Sequence, residues 1–472
     1  MKHKHEKRHI IKLCVAVLAS MIVLATACVQ EAHAATIASA RVLNSQSVQF
    51  SAILDKVPAS DDGMIYLYEM KTYEDAISPF AAPLAAGPVS KNVAFTFDLL
   101  HKTDNTRLYS KFALAVKKGG AVTMVSTPAY ITNPEALATH TKAWSPIVKS
   151  TQGASVNNMV ITGSGGGVTA SNKVVILLAK NGTSVTHPMC ALPDTHPVFY
   201  NYCMFNAANA AGVKALAADC AYQAANSAGQ DFIIGNEVSE RVWNYMPFVD
   251  WKLYVREYAR AFRVAYTAIK SENANAKVYF SIGQNWDRNR PVSHQEYYEF
   301  IDAKDFVDLF NAEIMAGGNI DWSVAIHPYT VPLTYSMFWN MALCPDGAYC
   351  AQQVASNRMV TFQNISVQTN YLAKFKNPAG LPRTMIISEL GISNFQGDQA
   401  QAAALATAWV AYKTNPYLSE FLYLNGGGAG VDFRLVGQAQ TMYNSLGTAN
   451  EAAMLEWAKA YMGITDWKQV VR

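Results

Sequence analysis

From about Asn133 to the C-terminus the chain repeats one pattern, a short apolar run followed by a long amphipathic stretch. That alternation limits the fold more than any other feature. The stretch from Trp251 to Glu272 places Tyr254, Tyr258, Phe262, Val264, Ala265 and Ile269 on one broad face, with Lys252, Arg256, Arg260 and Lys270 mostly elsewhere, which predicts an amphipathic helix. Lys277 to Ile282 follows as a strand, and the alternation then recurs. Strands apolar throughout are buried on both faces, as in parallel sheets covered by helices, and this many repeats favour a (β/α)8 barrel of the TIM type over an open sheet. The expectation is an α/β fold over residues 133–472 whose N-terminal half is irregular. Between Asn133 and Phe232 only residues 158–162 and 174–179 read as convincing strands, where three strand and helix units are needed. The glycine-rich link at 163–167 is too short for the crossover helix that parallel neighbours demand, so the two strands form a hairpin or the barrel begins irregularly.

Residues 35–132 follow a different grammar. Short alternating runs at 48–54, 64–68, 93–97, 112–116 and 122–125, separated by Asp, Gly, Pro and Asn clusters, predict an antiparallel all-β sandwich of Ig-like type. Lys117-Lys118-Gly119-Gly120 has the composition of a hairpin turn. The segment serves as a spacer packed on the larger domain or, in a sharper reading, as a carbohydrate-binding module.

Residues 1–34 read as a secretory signal: Lys2, Lys4, Lys7, Arg8 and Lys12 precede an apolar run that ends at Ala32-His33-Ala34. The expected location is secreted or on a bacterial cell surface, without membrane insertion after signal removal. A lipid anchor on Cys28 is the alternative, since Ala25-Thr26-Ala27-Cys28 loosely resembles a lipobox. The leader holds five of the 38 Lys plus Arg and two of the 35 Asp plus Glu. The remainder is therefore neutral, which gives no argument for nucleic acid or an anionic membrane as partner. Five cysteines lie beyond the leader, and Cys344 and Cys350 are expected to close a small disulfide loop in an oxidising compartment. A second pairing among Cys190, Cys203 and Cys220 stays open. No C-x-x-C or H-E-x-x-H spacing occurs, so neither a metal nor an organic cofactor is expected.

Four apolar strands end in polar clusters. Phe232-Ile233-Ile234-Gly235 leads to Asn236-Glu237, and the run 278–282 leads to Gln284-Asn285-Trp286. Ser323-Val324-Ala325-Ile326 leads to His327-Pro328-Tyr329, and Met385-Ile386-Ile387-Ser388 leads to Glu389. The C-terminal ends of barrel strands converge on one face, so these clusters are expected to meet.

Gly235-Asn236-Glu237 and Ser388-Glu389 resemble the two catalytic signatures of clan A glycoside hydrolases, retaining (β/α)8 enzymes with the acid/base on strand four and the nucleophile on strand seven. The stretch 231–238 and His327-Pro328-Tyr329 also resemble an uncharacterised bacterial glycosidase family over residues 180–440. The resemblance implies an exported enzyme acting on a polysaccharide or glycan, with Glu237 as acid/base and Glu389 as nucleophile. Asn236 would bond the sugar 2-hydroxyl, His327 and Tyr329 would orient Glu389, and Gln284 and Asn285 would line the substrate cleft. Trp243, Trp286 and Trp339 are candidates for stacking on sugar faces. Two other readings compete: a carbohydrate-binding or adhesive protein on a decayed barrel, and an esterase, against which the absence of a G-x-S-x-G elbow counts. Gly426-Gly427-Gly428 lacks the Lys of a phosphate loop and reads as a flexible turn. Oligomeric state and sugar identity are not legible.

Overall fold

The computed structural model describes residues 35–151, 157–162, 171, 173–180, 202–246, 250–288, 300–428 and 430–472. Residues 1–34, with Cys14 and Cys28, and Cys190 lie outside them.

The N-terminal strands are β1 (Ala35–Asn44), β2 (Ser47–Leu54), β3 (Met64–Met70), β4 (Ala85–Pro88), β5 (Asn92–Asp98), β6 (Lys111–Lys118), β7 (Ala121–Met124) and β8 (Ala129–Tyr130). They form two antiparallel sheets, β1-β2-β5 and β4-β3-β6-β7, with β8 added on β6. Every second residue of β2 is buried, as a half-exposed strand requires, and Phe50, Leu67, Phe97, Phe112 and Leu114 from both sheets share one core. The turn at Gly119-Gly120 joins β6 to β7 with both glycines at positive φ, 59° and 77°. That is the backbone a two-residue hairpin needs and glycine supplies without strain.

The second core belongs to a curled sheet. Its strands are β9 (Ser150–Thr151), β10 (Asn157–Thr162), β11 (Val174–Lys180), β13 (Asp231–Ile234), β14 (Lys277–Ile282), β15 (Trp322–Ile326), β16 (Met385–Leu390) and β17 (Leu418–Tyr423), with the short β12 (Tyr202–Cys203) antiparallel to β11. All eight main strands are parallel and neighbour one another in chain order from β10 to β17. The sheet curls far enough that β17 pairs with β9, Leu422 opposite Ser150. This is a TIM-like α/β arrangement in which β13 is the fourth strand and β16 the seventh. Residues 158–162 and 174–179 pair in parallel, so the hairpin alternative is not what forms. A hairpin would have left β10 with the wrong direction for the rest of the sheet.

The helices are α1 (Ala210–Asn226), α2 (Trp251–Glu272), α3 (Ala303–Ala316), α4 (Gly347–Ala355), α5 (Ser366–Leu372), α6 (Asp398–Thr414), α7 (Gly437–Ser445) and α8 (Glu451–Met462). α2 spans the expected residues. It starts because Asp250 accepts a hydrogen bond from the Leu253 N–H at 2.8 Å, which satisfies one of the helix's unpaired donors. Its inner face packs Tyr258 and Phe262 against Phe280, Phe306 and Phe310, an edge-to-face aromatic cluster that also reaches Trp322. Each such buried ring contributes roughly 1.5–3 kcal/mol. Inside the curl lies a separate layer, Ile147, Val174, Ile176, Ile233, Tyr279, Ala325, Ile386 and Leu422, so the interior is filled rather than open.

The expected Cys344–Cys350 disulfide is not formed. Both thiols are free and buried, as is Cys220, while Cys203 is disulfide-bonded. Cys350 sits in the first turns of α4, and the Cys344 Sγ faces the Pro345 carbonyl at 3.1 Å, so the segment read as a loop is instead the start of a helix. Among the described residues no cluster of His, Cys, Asp or Glu could hold a metal, and no helix is long and apolar enough to cross a membrane.

Candidate active site

The site forms where β13, β14, β15 and β16 end. Gly235 opens it at φ 80°, and a Cβ there would lie 2.7 Å from the Asn244 Oδ1 and 2.8 Å from a Val238 methyl, so only glycine fits the turn. Asn236 and Glu237 follow. Glu237 itself sits at φ 41°, a conformation few non-glycine residues adopt, and it is held there from outside. Its N–H donates to the Ser281 hydroxyl at 2.7 Å, the Val238 N–H donates to the Ser281 carbonyl, and the Asn244 amide donates to the Asn236 carbonyl. Helix α2 braces the same loop, because the Tyr254 hydroxyl reaches the Val238 and Asn244 carbonyls at 3.1 Å each.

Glu389 is placed by a different device. Along β16 and β17, Ile387 faces Phe421 and Leu390 faces Tyr423, three steps against two. The extra residue is a bulge, which breaks the strict alternation of a strand. Ser388 stays fully buried while Glu389 is half-buried.

His327 and Tyr329 tie the two carboxylates into one cluster. The His327 Nδ1 lies 3.0 Å from the Glu237 Oε1 and its Nε2 lies 3.0 Å from the Ser388 Oγ. Tyr329 donates its hydroxyl to the Glu389 carboxylate. His327 therefore hydrogen-bonds Glu237 rather than Glu389, the carboxylate the sequence suggested, and its other ring nitrogen meets Ser388, the chain neighbour of Glu389. Burial alone would drive the His327 pKa down, but the charges of Glu389 and Glu237 and the hydrogen bond to Glu237 outweigh it, and the net shift is upward. For Tyr329, burial and then the Glu389 charge raise the phenol far above its usual range, so it remains a proton donor at any physiological pH.

The other expected residues divide. Asn236 is 5% exposed and its Oδ1 has no hydrogen-bond partner among the described residues, an acceptor beside Glu237 that the protein leaves unused. Gln284 donates to the Thr330 carbonyl at 3.2 Å, bracing the loop of Tyr329, and Asn285 donates to the Glu240 Oε1 at 3.2 Å. Trp286 is 2% exposed and packs its edge on Tyr371, so it offers no face to a sugar and is a core residue. Trp243 is half-buried against Tyr202, and Trp339 packs between Phe338 and Tyr461 on the outer layer.

Glu240 was not anticipated. A Cβ on Gly283 would lie 3.1 Å from both the Glu237 Oε1 and the Glu240 Oε1, so two carboxylates flank one point at the end of β14. Its signal in the sequence is weak, because it sits three residues past Glu237 in a turn rather than at a strand end.

Residues 166–470 match the profile of a family of unknown function, DUF5722, and the chain belongs to that family. No curated protein matches it. Among solved structures it is similar to a GH128 endo-β-1,3-glucanase from Sorangium cellulosum, at 14% identity over 49% of this chain and 77% of that one, with a TM-score of 0.33. It is also similar to a family 39 glycoside hydrolase from Bacteroides cellulosilyticus, at 11% identity over 82% and 78% of the chains with a TM-score of 0.36. A third is a GH128 oligosaccharide-binding protein from Cryptococcus neoformans, at 12% identity over 68% and 100% with a TM-score of 0.28.

Proposed function

We propose that the protein is an exported, retaining glycoside hydrolase that cleaves a polysaccharide or glycan, with Glu237 as acid/base and Glu389 as nucleophile. The observation that carries this reading is the linked pair itself: carboxylates at the ends of the fourth and seventh parallel strands, tied through His327, Ser388 and Tyr329. Retention requires one carboxyl group to protonate the departing oxygen while the other attacks the anomeric carbon from about 5–5.5 Å away. Glu237 then takes a proton from the water that releases the sugar. The Tyr329 hydroxyl steadies the charge on Glu389 before attack, and as Glu389 bonds the anomeric carbon the electron pair of the broken bond goes to the departing oxygen, which takes the proton of Glu237. Asn236 supplies the buried acceptor for a sugar hydroxyl beside the anomeric centre.

In this reading residues 1–34 are the export signal, the N-terminal strands are an Ig-like accessory domain ending near residue 132, and the eight-stranded sheet is a full barrel. The separate cores of the two sheet systems support that division.

The test is the mature protein with Glu237→Ala and Glu389→Ala against aryl glycosides and polysaccharides, with released reducing ends measured and the product anomer followed by NMR. Release that both variants reduce by at least ~10³-fold, with the first-formed anomer matching the substrate, is expected. No release, with glycan bound equally by all three proteins, would make the site a binding site instead.

A further inference from the structure

A second site lies far from the two carboxylates, where the N-terminal sheets meet the outer face of α2 and α3. It is a cavity of about 250 Å³ lined by Lys111, Arg256, Arg260 and Arg263 with only Asp75 and Glu313 as acidic counterparts. We infer that this cavity binds a small oxyanion, a phosphate, sulfate or carboxylate group, with Lys111 as its principal ligand.

The four cations differ in the partners they already have. Arg260 pairs with Asp75 and, at 2.9 Å, with Glu257. Arg263 spends its Nη2 on the Ile314 and Gly318 carbonyls at 2.7 and 2.9 Å and lays its plane over the Tyr130 ring, with no ion pair among the described residues. Arg256 has only a distant contact with Glu257 at 3.9 Å. The Lys111 side chain has neither a hydrogen bond nor an ion pair among the described residues, although the residue is 6% exposed. Glu74, in the neighbouring loop, accepts from the Lys71 N–H, and Glu313 is exposed at the rim. With the Lys111 stem enclosed and its ammonium unpaired, the cavity is the open direction left to that charge.

The walls are fixed in place. A Cβ on Gly317 would lie 2.7 Å from the Tyr130 ring and 3.2 Å from the Arg263 Nη2, so strand β8 and the end of α3 are in contact at closest approach. A site so built is preorganised and has room for one tetrahedral or planar anion with its water, not for a polymer. Burial lowers the Lys111 pKa to about 8, with Arg260 adding to the effect and Asp75 and Glu74 opposing it. The site accordingly presents a full positive charge below that pH, and a bound anion restores the charge above it.

The experiment uses the full mature chain, with thermal melts and calorimetric titration of sodium sulfate, sodium phosphate and sodium glucuronate against sodium chloride at matched ionic strength. Stabilisation by sulfate or phosphate beyond chloride, weakened ~10-fold or more in Lys111→Met and declining as pH rises past 8, is expected for a free inorganic oxyanion. The same pattern with glucuronate alone assigns the source to an acidic sugar. Should Lys111→Met fold poorly, Arg256→Gln gives a second reading, with affinity expected to fall ~3-fold or more. Equal responses to all four salts, or affinities unchanged in the variants, overturn the site.

Discussion

At the scale of single residues, the site's chemistry depends on how each carboxylate is held. Tyr329 gives Glu389 its one described hydroxyl donor, and its phenol cannot ionise where it sits. Tyr329→Phe is expected to lower kcat by ~10²-fold while leaving KM and the melting temperature nearly unchanged, because the lost bond matters when charge leaves the carboxylate. Steady-state kinetics beside a thermal melt check this. That Glu237, Glu389, His327 and Tyr329 would meet was legible because an apolar strand that ends in a polar group is conspicuous. The partner of His327 was not, since a sequence cannot give the direction of a ring. Trp286 failed as a sugar platform for a related reason: composition marks a tryptophan, but only packing decides whether its face is free.

Among the elements, α2 was readable because its apolar residues recur along one broad face, and the Asp250 cap that starts it was seen only in the structure. The start of the barrel was not. Strand β9 contributes two residues to the sheet, too few for any period to register, and the β10 to β11 link is short. The bulge in β16 was equally hidden, for it exists only relative to β17. The end of β14 offers a test at this scale. Gly283→Ala would press a methyl group against the Glu237 and Glu240 carboxylates, and activity is expected to fall ~10-fold or more with little loss of stability. Circular dichroism melts and kinetics on the same preparation separate the two effects.

For the whole molecule, stability should depend on pH through groups toward the opposite end of the curled sheet from the site. Asp231 and Glu420 face each other inside the curl, near Lys277, and the Trp144 and Tyr279 donors both go to the Asp231 Oδ1, at 2.9 and 3.0 Å. Burial, with the Asp231 charge behind it, pushes the Glu420 carboxyl up to about 9 from an ordinary 4.5, and burial also raises Asp231. The folded state therefore holds a proton that the unfolded chain releases above pH 4.5, so the stabilisation is complete below that value and declines until about pH 9. Glu420→Gln is expected to flatten this decline and raise the melting temperature at pH 8.5 by ~5 °C, measured by calorimetry across pH. The contact between β17 and β9 has a further consequence, one of order in time. A growing chain that has passed residue 417 already contains both Glu237 and Glu389, yet Ser150 and Thr151 still wait for the strand that will lie beside them. The seam between β9 and β17 can therefore close only after every strand between them has been made.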